Sequence, residues 1–151
     1  MKQPVHKHVA PSSLFIKKSK LPGAGQGLFT KEPIAKGQLI TEYKGTITTW
    51  KAVTDSEVFN PYVYYVNRNH VVDAMHDLTA LGRYANDAGG LIKMPGLVNN
   101  AEYMTVVKKV FIRAISDISA GAEILVAYGK EYWDVIKYNH ALEEKNKKKK
   151  K

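Results

Sequence analysis

A mainly β fold is what this sequence predicts, and three observations carry that expectation. Its apolar residues fall mostly in short runs rich in Val, Ile, Tyr and Phe, the length and composition of strands. Clusters of Gly, Pro and Asn separate the runs, as turn chemistry requires. Apolar residues at helical spacing stand out in one segment only, near the C terminus. Taken in order, "SLFIKK" (13–18) reads as a strand and "KLPGAGQGLF" (20–29) as a Pro/Gly turn running into an apolar pair. "QLITEY" (38–43) is a second strand. "YVYYV" (62–66) and "HVVDA" (70–74) flank "NRN" as two arms of a hairpin. "LTALGRYA" (78–85) is sized for one or two helical turns. "YMTVVKKVFIRAIS" (103–116) predicts two strands with a lysine pair between them, and "AEILVAYG" (122–129) a buried strand ended by glycine. "KEYWDVIKYNHALEEK" (130–145) predicts a helix whose apolar stripe is Trp133, Ile136 and His140.

Composition bounds the function. At 151 residues, 44% hydrophobic and 25% charged, the chain has the make-up of one globular domain. A transmembrane helix needs about 18 consecutive apolar residues, and no such run exists. The opening "MKQPVHKHVAPSS" has no apolar core of a secretory signal. The absence of cysteine excludes disulfides and thiolate zinc clusters, and agrees with an intracellular setting, cytoplasmic or nuclear. His6 and His8 have no third ligand near them in sequence, so no metal is expected.

The net charge of +9 divides unevenly. Residues 1–20 carry five lysines and residues 145–151 six, with no acid in either stretch. Residues 21–144 carry nine lysines and three arginines against fourteen acids, a net charge of −2. The expected organisation is a basic flexible leader (1–12), a folded body (13–144) and a lysine-rich disordered tail (145–151). Any contact with nucleic acid is expected through those basic ends alone, since the body shows no basic stripe.

Four pieces, in order, the first made of two successive stretches, resemble the SET-domain protein lysine methyltransferases. "GAGQGLF" (23–29) is similar to that family's Gly-x-Gly turn, and "IAKGQLITEYKG" (34–45) to its strand ending in Glu-Tyr-x-Gly. "YVYYVNRNHVVDA" (62–74) matches its Tyr-rich strand before an Asp-Ala pair. "LTALGRYANDA…VNNAEY" (78–103) resembles its Arg-Phe-x-Asn-His-Ser…Pro-Asn motif. "ISAGAEILVAYGKEYW" (118–133) resembles its closing Gly-Glu-Glu…Tyr-Gly segment. The likeness covers residues 14 to 133. It implies a fold of several small β-sheets with a pseudoknot and a C-terminal helix, in a minimal form without zinc-binding flanks.

The resemblance also implies S-adenosylmethionine on one side and a target lysine entering from the other. Transfer of a methyl group to an amine needs that amine neutral. With an ordinary lysine pKa near 10.4, about one lysine in 2,500 is neutral at pH 7, a cost of roughly 4.6 kcal/mol. Burial in an aromatic channel disfavours the ammonium and lowers this cost. By family position, Tyr128 is the central catalytic residue, while Tyr43, Tyr62 and Tyr103 line the channel; Tyr64 and Tyr65 read as strand and core residues. Cofactor binding falls to Ala24, Gly25, Gln26 and Gly27 in the turn, then to Arg83, Tyr84, Asn86 and Asp87, with Tyr128 and Trp133. Glycine lets a backbone approach a ligand closely, and the Asn86 amide both donates and accepts. Arg83 is either structural or a partner for the cofactor carboxylate; Trp133 either stacks on adenine or fills a helix core position. Val126 matches a position that tunes product size in some members, and Asp73 and Glu123 match acids expected to be architectural.

Three features depart from the family pattern. Asp87 stands where histidine is usual, Asn99 replaces the proline before Asn100, and "GGLIKMPGLV" (89–98) lengthens the loop between. An ionised aspartate accepts hydrogen bonds and donates none. It replaces a histidine that acts through its backbone but not one whose ring donates. The function these residues imply is a protein lysine N-methyltransferase acting on a lysine-bearing protein, with histone tails as the family-based expectation. The rival reading is a catalytically weak or inactive SET-like module that binds such a peptide.

Overall fold

The computed structural model describes residues 8–56, 60–90, 93–128 and Lys145. The chain is mainly β, as the sequence predicts, and its strands form three small antiparallel sheets. β1 (Leu14–Lys18), β2 (Gln26–Thr30) and β9 (Glu123–Ile124) make the first, in that order. β3 (Leu39–Glu42), β8 (Lys109–Ala114) and β7 (Ala101–Val106) make the second. β4 (Thr46–Thr48), β6 (His70–Asp73) and β5 (Val63–Asn67) make the third. Short 3-10 turns occupy Pro11–Ser13 and Leu81–Tyr84, the latter within the stretch expected to be helical.

The strands follow from local chemistry. In β8, Val110, Ile112 and Ala114 are buried while the residues between them face outward or lie half-buried, the period-2 signature of a strand with one covered face. The β5–β6 and β7–β8 hairpins fall where predicted. The second turn sits one residue earlier than the lysine pair, because Val106 pairs with Lys109 and leaves Val107 and Lys108 at the tip. Two elements have no clear sequence signal. β4 is three residues long, and α1 (Trp50–Asp55) is a six-residue helix whose N-cap, Thr49, accepts a bond from the Ala52 N–H at 3.2 Å.

The buried strand expected over 122–129 keeps ladder pairing only at β9. Beyond it, Leu125 bridges to Asn86 and Val126 to Ala101, both in parallel. The segment after β9 therefore lies between two stretches that the loop 86–101 joins. The helix expected over 130–145 lies outside the described residues apart from Lys145, which is helical.

The main core joins the first two sheets. Leu28, Ile34, Ile40, Ile112, Ile124 and Val126 are all fully buried in it. A smaller cluster under the third sheet holds Tyr43, Val72, Ala74 and Val110. Tyr103 packs against both, so one aromatic ring links the two cores.

Candidate functional site

The site is built where the segment after β9 meets the stretch "GRYANDAGG". Asn100 anchors that segment. Its amide Nδ2 donates to the Glu123 carbonyl at 2.9 Å, its Oδ1 accepts from the Leu125 N–H at 2.9 Å, and its own N–H reaches the Leu125 carbonyl. On the other side the Val126 N–H donates to the Asn86 carbonyl at 2.8 Å. These bonds fix the backbone leading into Tyr128. Tyr128 is then held at both ends: its N–H donates to Asp87 Oδ2 at 2.9 Å and its hydroxyl to the Ala85 carbonyl at 2.5 Å.

A cleft of about 530 Å³ opens beside Tyr128. That lies within the roughly 300–1,000 Å³ typical of small-molecule sites. One wall is the Pro/Gly turn, with Ala24, Gly25 and Gln26 on the surface. Gly25 has φ +73°, a left-handed conformation that costs glycine little, and open space where a side chain would stand. The Ser19 N–H donates to the Gly25 carbonyl at 2.8 Å and closes the turn. Asn86 Nδ2 donates to the Gln26 carbonyl at 2.9 Å, tying this wall to the stretch that carries Asp87. Gly27 does not line the cleft. A Cβ there would come within 2.5 Å of Glu123 Oε2 and 3.2 Å of the Ser19 backbone, so its glycine serves packing.

The opposite wall is aromatic. Tyr43, Tyr62, Tyr64 and Tyr103 all face the cleft. The Tyr43 hydroxyl donates to the Tyr62 carbonyl at 2.7 Å, and Tyr64 lies 5.0 Å from Tyr103 and 6.4 Å from Tyr43, centroid to centroid. Arg83 and Asp87 are the charged side chains among the described lining residues. The Arg83 guanidinium stacks 4.3 Å over the Tyr62 ring and 5.3 Å over Tyr84, and donates through Nη2 to the Met75 carbonyl at 3.1 Å. Its Nε is buried with no hydrogen-bond partner among the described residues. A buried donor of this kind is costly unless something meets it. Tyr84 also lines the cleft, with its hydroxyl bonded to the Leu78 carbonyl at 2.7 Å.

Most of the residues singled out by sequence come together at this cleft, with few exceptions. Trp133 lies outside the described residues. Val126 is fully buried in the main core rather than exposed to the cleft. Tyr64, expected in the core, packs against the smaller core and faces the cleft as well. Tyr65 is not core: it is 48% exposed, edge-on to Trp50 at 5.2 Å. Strand alternation separates these neighbours, and it is the one sequence signal for Tyr64. Asp73 and Glu123 are structural in the way their positions imply. Asp73 accepts from Asn60 Nδ2 at 2.8 Å and the Met75 N–H at 2.9 Å. Buried Glu123 accepts from the Ser19 hydroxyl at 2.6 Å and the Lys20 N–H at 2.9 Å. Among the described residues, no group of three His, Cys, Asp or Glu side chains is placed to hold a metal ion.

Three short antiparallel sheets, a closing segment flanked by two parallel bridges, and a cleft with a tyrosine wall together define a class. The SET domain model matches residues 25–129, most of the chain, and the chain belongs to the SET-domain family. Members of that family are generally S-adenosylmethionine-dependent lysine methyltransferases. The N-lysine methyltransferase KMT5A of Xenopus tropicalis is 24% identical over 126 residues, covering 76% of this chain and 36% of that protein. The chain thus spans about a third of the length of this relative.

Proposed function

We infer that this protein is a protein lysine N-methyltransferase that uses S-adenosylmethionine and modifies a lysine side chain of a protein substrate, with histone tails the first candidates. The observation that carries the reading is the cleft in which the glycine turn, Asn86 and Arg83 face a tyrosine wall with Tyr128 alongside. These residues fit the cofactor. Gly25 leaves backbone open to a ligand, and the buried Arg83 Nε is an unmet donor suited to a carboxylate. Ala24, Gly25, Gln26, Arg83, Tyr84 and Asn86 would hold the cofactor, which supplies an electrophilic methyl group when bound.

The chain's own residues deal with the amine. The rings of Tyr43, Tyr62, Tyr64 and Tyr103 replace water around a lysine, which disfavours the ammonium and brings its pKa down toward neutrality. The Tyr128 hydroxyl commits its proton to the Ala85 carbonyl, so its oxygen meets an amine as an acceptor. An N–H of the amine donating to that oxygen turns the nitrogen lone pair in a defined direction, and alignment of this kind supplies a large part of the acceleration.

The test is transfer of label from S-adenosylmethionine to a panel of histones and other lysine-rich proteins. The expected result is lysine-directed labelling, lowered about 100-fold or more in kcat by Tyr128→Phe. No labelling of any protein, with no measurable cofactor binding, rejects the enzyme. Binding of a lysine-bearing peptide without transfer leaves the peptide-binding module as the correct reading. Labelling unchanged in Tyr128→Phe removes Tyr128 from the centre of the mechanism.

A further inference from the structure

We propose that Asp87 and Asn99, the two residues that depart from the family motif, form one positioning unit that holds Tyr128 in place. The proposal rests on the methyltransferase reading for its effect on rate, and on geometry alone for the unit itself. Asp87 is 8% exposed, and both carboxylate oxygens are engaged. Oδ1 accepts from the Gly89 N–H at 2.7 Å and from Asn99 Nδ2 at 2.8 Å. Oδ2 accepts from the Tyr128 N–H at 2.9 Å. Asn99 completes the pair by accepting the Ala88 N–H on its Oδ1 at 2.8 Å.

The chemistry makes the two departures interdependent. Three N–H donors converge on residue 87, and an ionised carboxylate, acceptor-only on two oxygens, suits that demand. A neutral imidazole has one acceptor nitrogen and would leave donors unmet. Proline at 99 would have neither the Nδ2 donor for Asp87 nor the oxygen for Ala88. Each residue is thus the partner that makes the other tolerable, since a buried polar group without its partner is strongly disfavoured. Asn99 does not line the cleft, so it acts on the site only through Asp87 and the 88–89 backbone. With the amide of Tyr128 on Asp87 and its hydroxyl on Ala85, the orientation of the ring is set by residues 85–87 at both ends.

The test uses the full chain in two measurements. In the protein without cofactor, the Tyr128 amide should exchange with solvent about tenfold faster or more in Asn99→Ala and in Asp87→Asn, while the Ile112 amide in β8 keeps its rate. An unchanged Tyr128 amide overturns the proposal. So does a rise shared equally by Ile112, which marks a merely structural role. In steady-state transfer, Asn99→Ala should lose about tenfold in kcat with KM for peptide and cofactor within about threefold. The double variant should fall no further than the worse single. A loss confined to KM, or losses that multiply, overturns the unit. If the wild type transfers no methyl group, the methyltransferase reading fails separately, and the exchange measurement still decides whether the unit exists.

Discussion

Among single residues, Val107 is the conspicuous strain. It has φ +59°, the one non-glycine residue in that region among those described, and it sits 89% exposed at the first position of the β7–β8 turn. A β-branched side chain there crowds its own backbone, at a cost of about 1–2 kcal/mol. Nothing about the site requires the valine. Val107→Gly should therefore raise stability by about 1 kcal/mol, read from the midpoint of denaturant unfolding with an unchanged slope. A decrease would show that the side chain makes a contact worth more than the strain. Arg83 is the other residue whose role depends on its surroundings in space. Its motif position is compatible with a structural or a ligand-facing side chain. The guanidinium stacks on Tyr62 and Tyr84 and still leaves Nε buried with no hydrogen-bond partner among the described residues.

Among the secondary-structure elements, the first sheet is tied together by a buried carboxylate. Glu123 in β9 accepts from Ser19 and Lys20 just after β1, and Gly27 in β2 makes room for it. Gly27→Ala would drive a methyl group into that carboxylate and toward the Ser19 backbone. Displacing a buried charge from its donors is more expensive than ordinary overpacking, so a loss of about 2 kcal/mol or more is expected in chemical unfolding. A loss under about 0.5 kcal/mol would mean that Glu123 has room to swing aside. Most strands are legible in the amino-acid sequence, because alternation and turn residues are local signals. β4 and α1 are not, being too short for any periodicity to show.

Across the molecule as a whole, Tyr103 is where the two cores and the cleft meet. It packs against the main core and the smaller one, and its ring lies 5.8 Å from Tyr43 and 5.0 Å from Tyr64. Removing the ring takes packing from two clusters at once. Tyr103→Ala should cost about 3 kcal/mol and broaden the unfolding transition if the third sheet then melts separately from the other two. A single sharp transition with a small loss would show that the sheets cohere through contacts elsewhere.

The amino-acid sequence is enough to establish that the chain is mainly β, which motifs it carries and in what order, and therefore its family. It also picks out eleven of the eighteen residues that line the cleft, missing among others Leu21, Pro61, Val63 and Tyr64. Those inferences succeed because strand periodicity, glycine turns and motif order are written in neighbouring residues. Which groups Asp87 bonds to is visible in three dimensions alone. Its partners are Gly89, Asn99 and Tyr128, the last two 12 and 41 positions away. The same holds for Tyr64 facing the cleft, Val126 lying in the core and Gly27 serving Glu123. Hydrogen-bond partners across a fold depend on where loops return, and no local pattern encodes that distance.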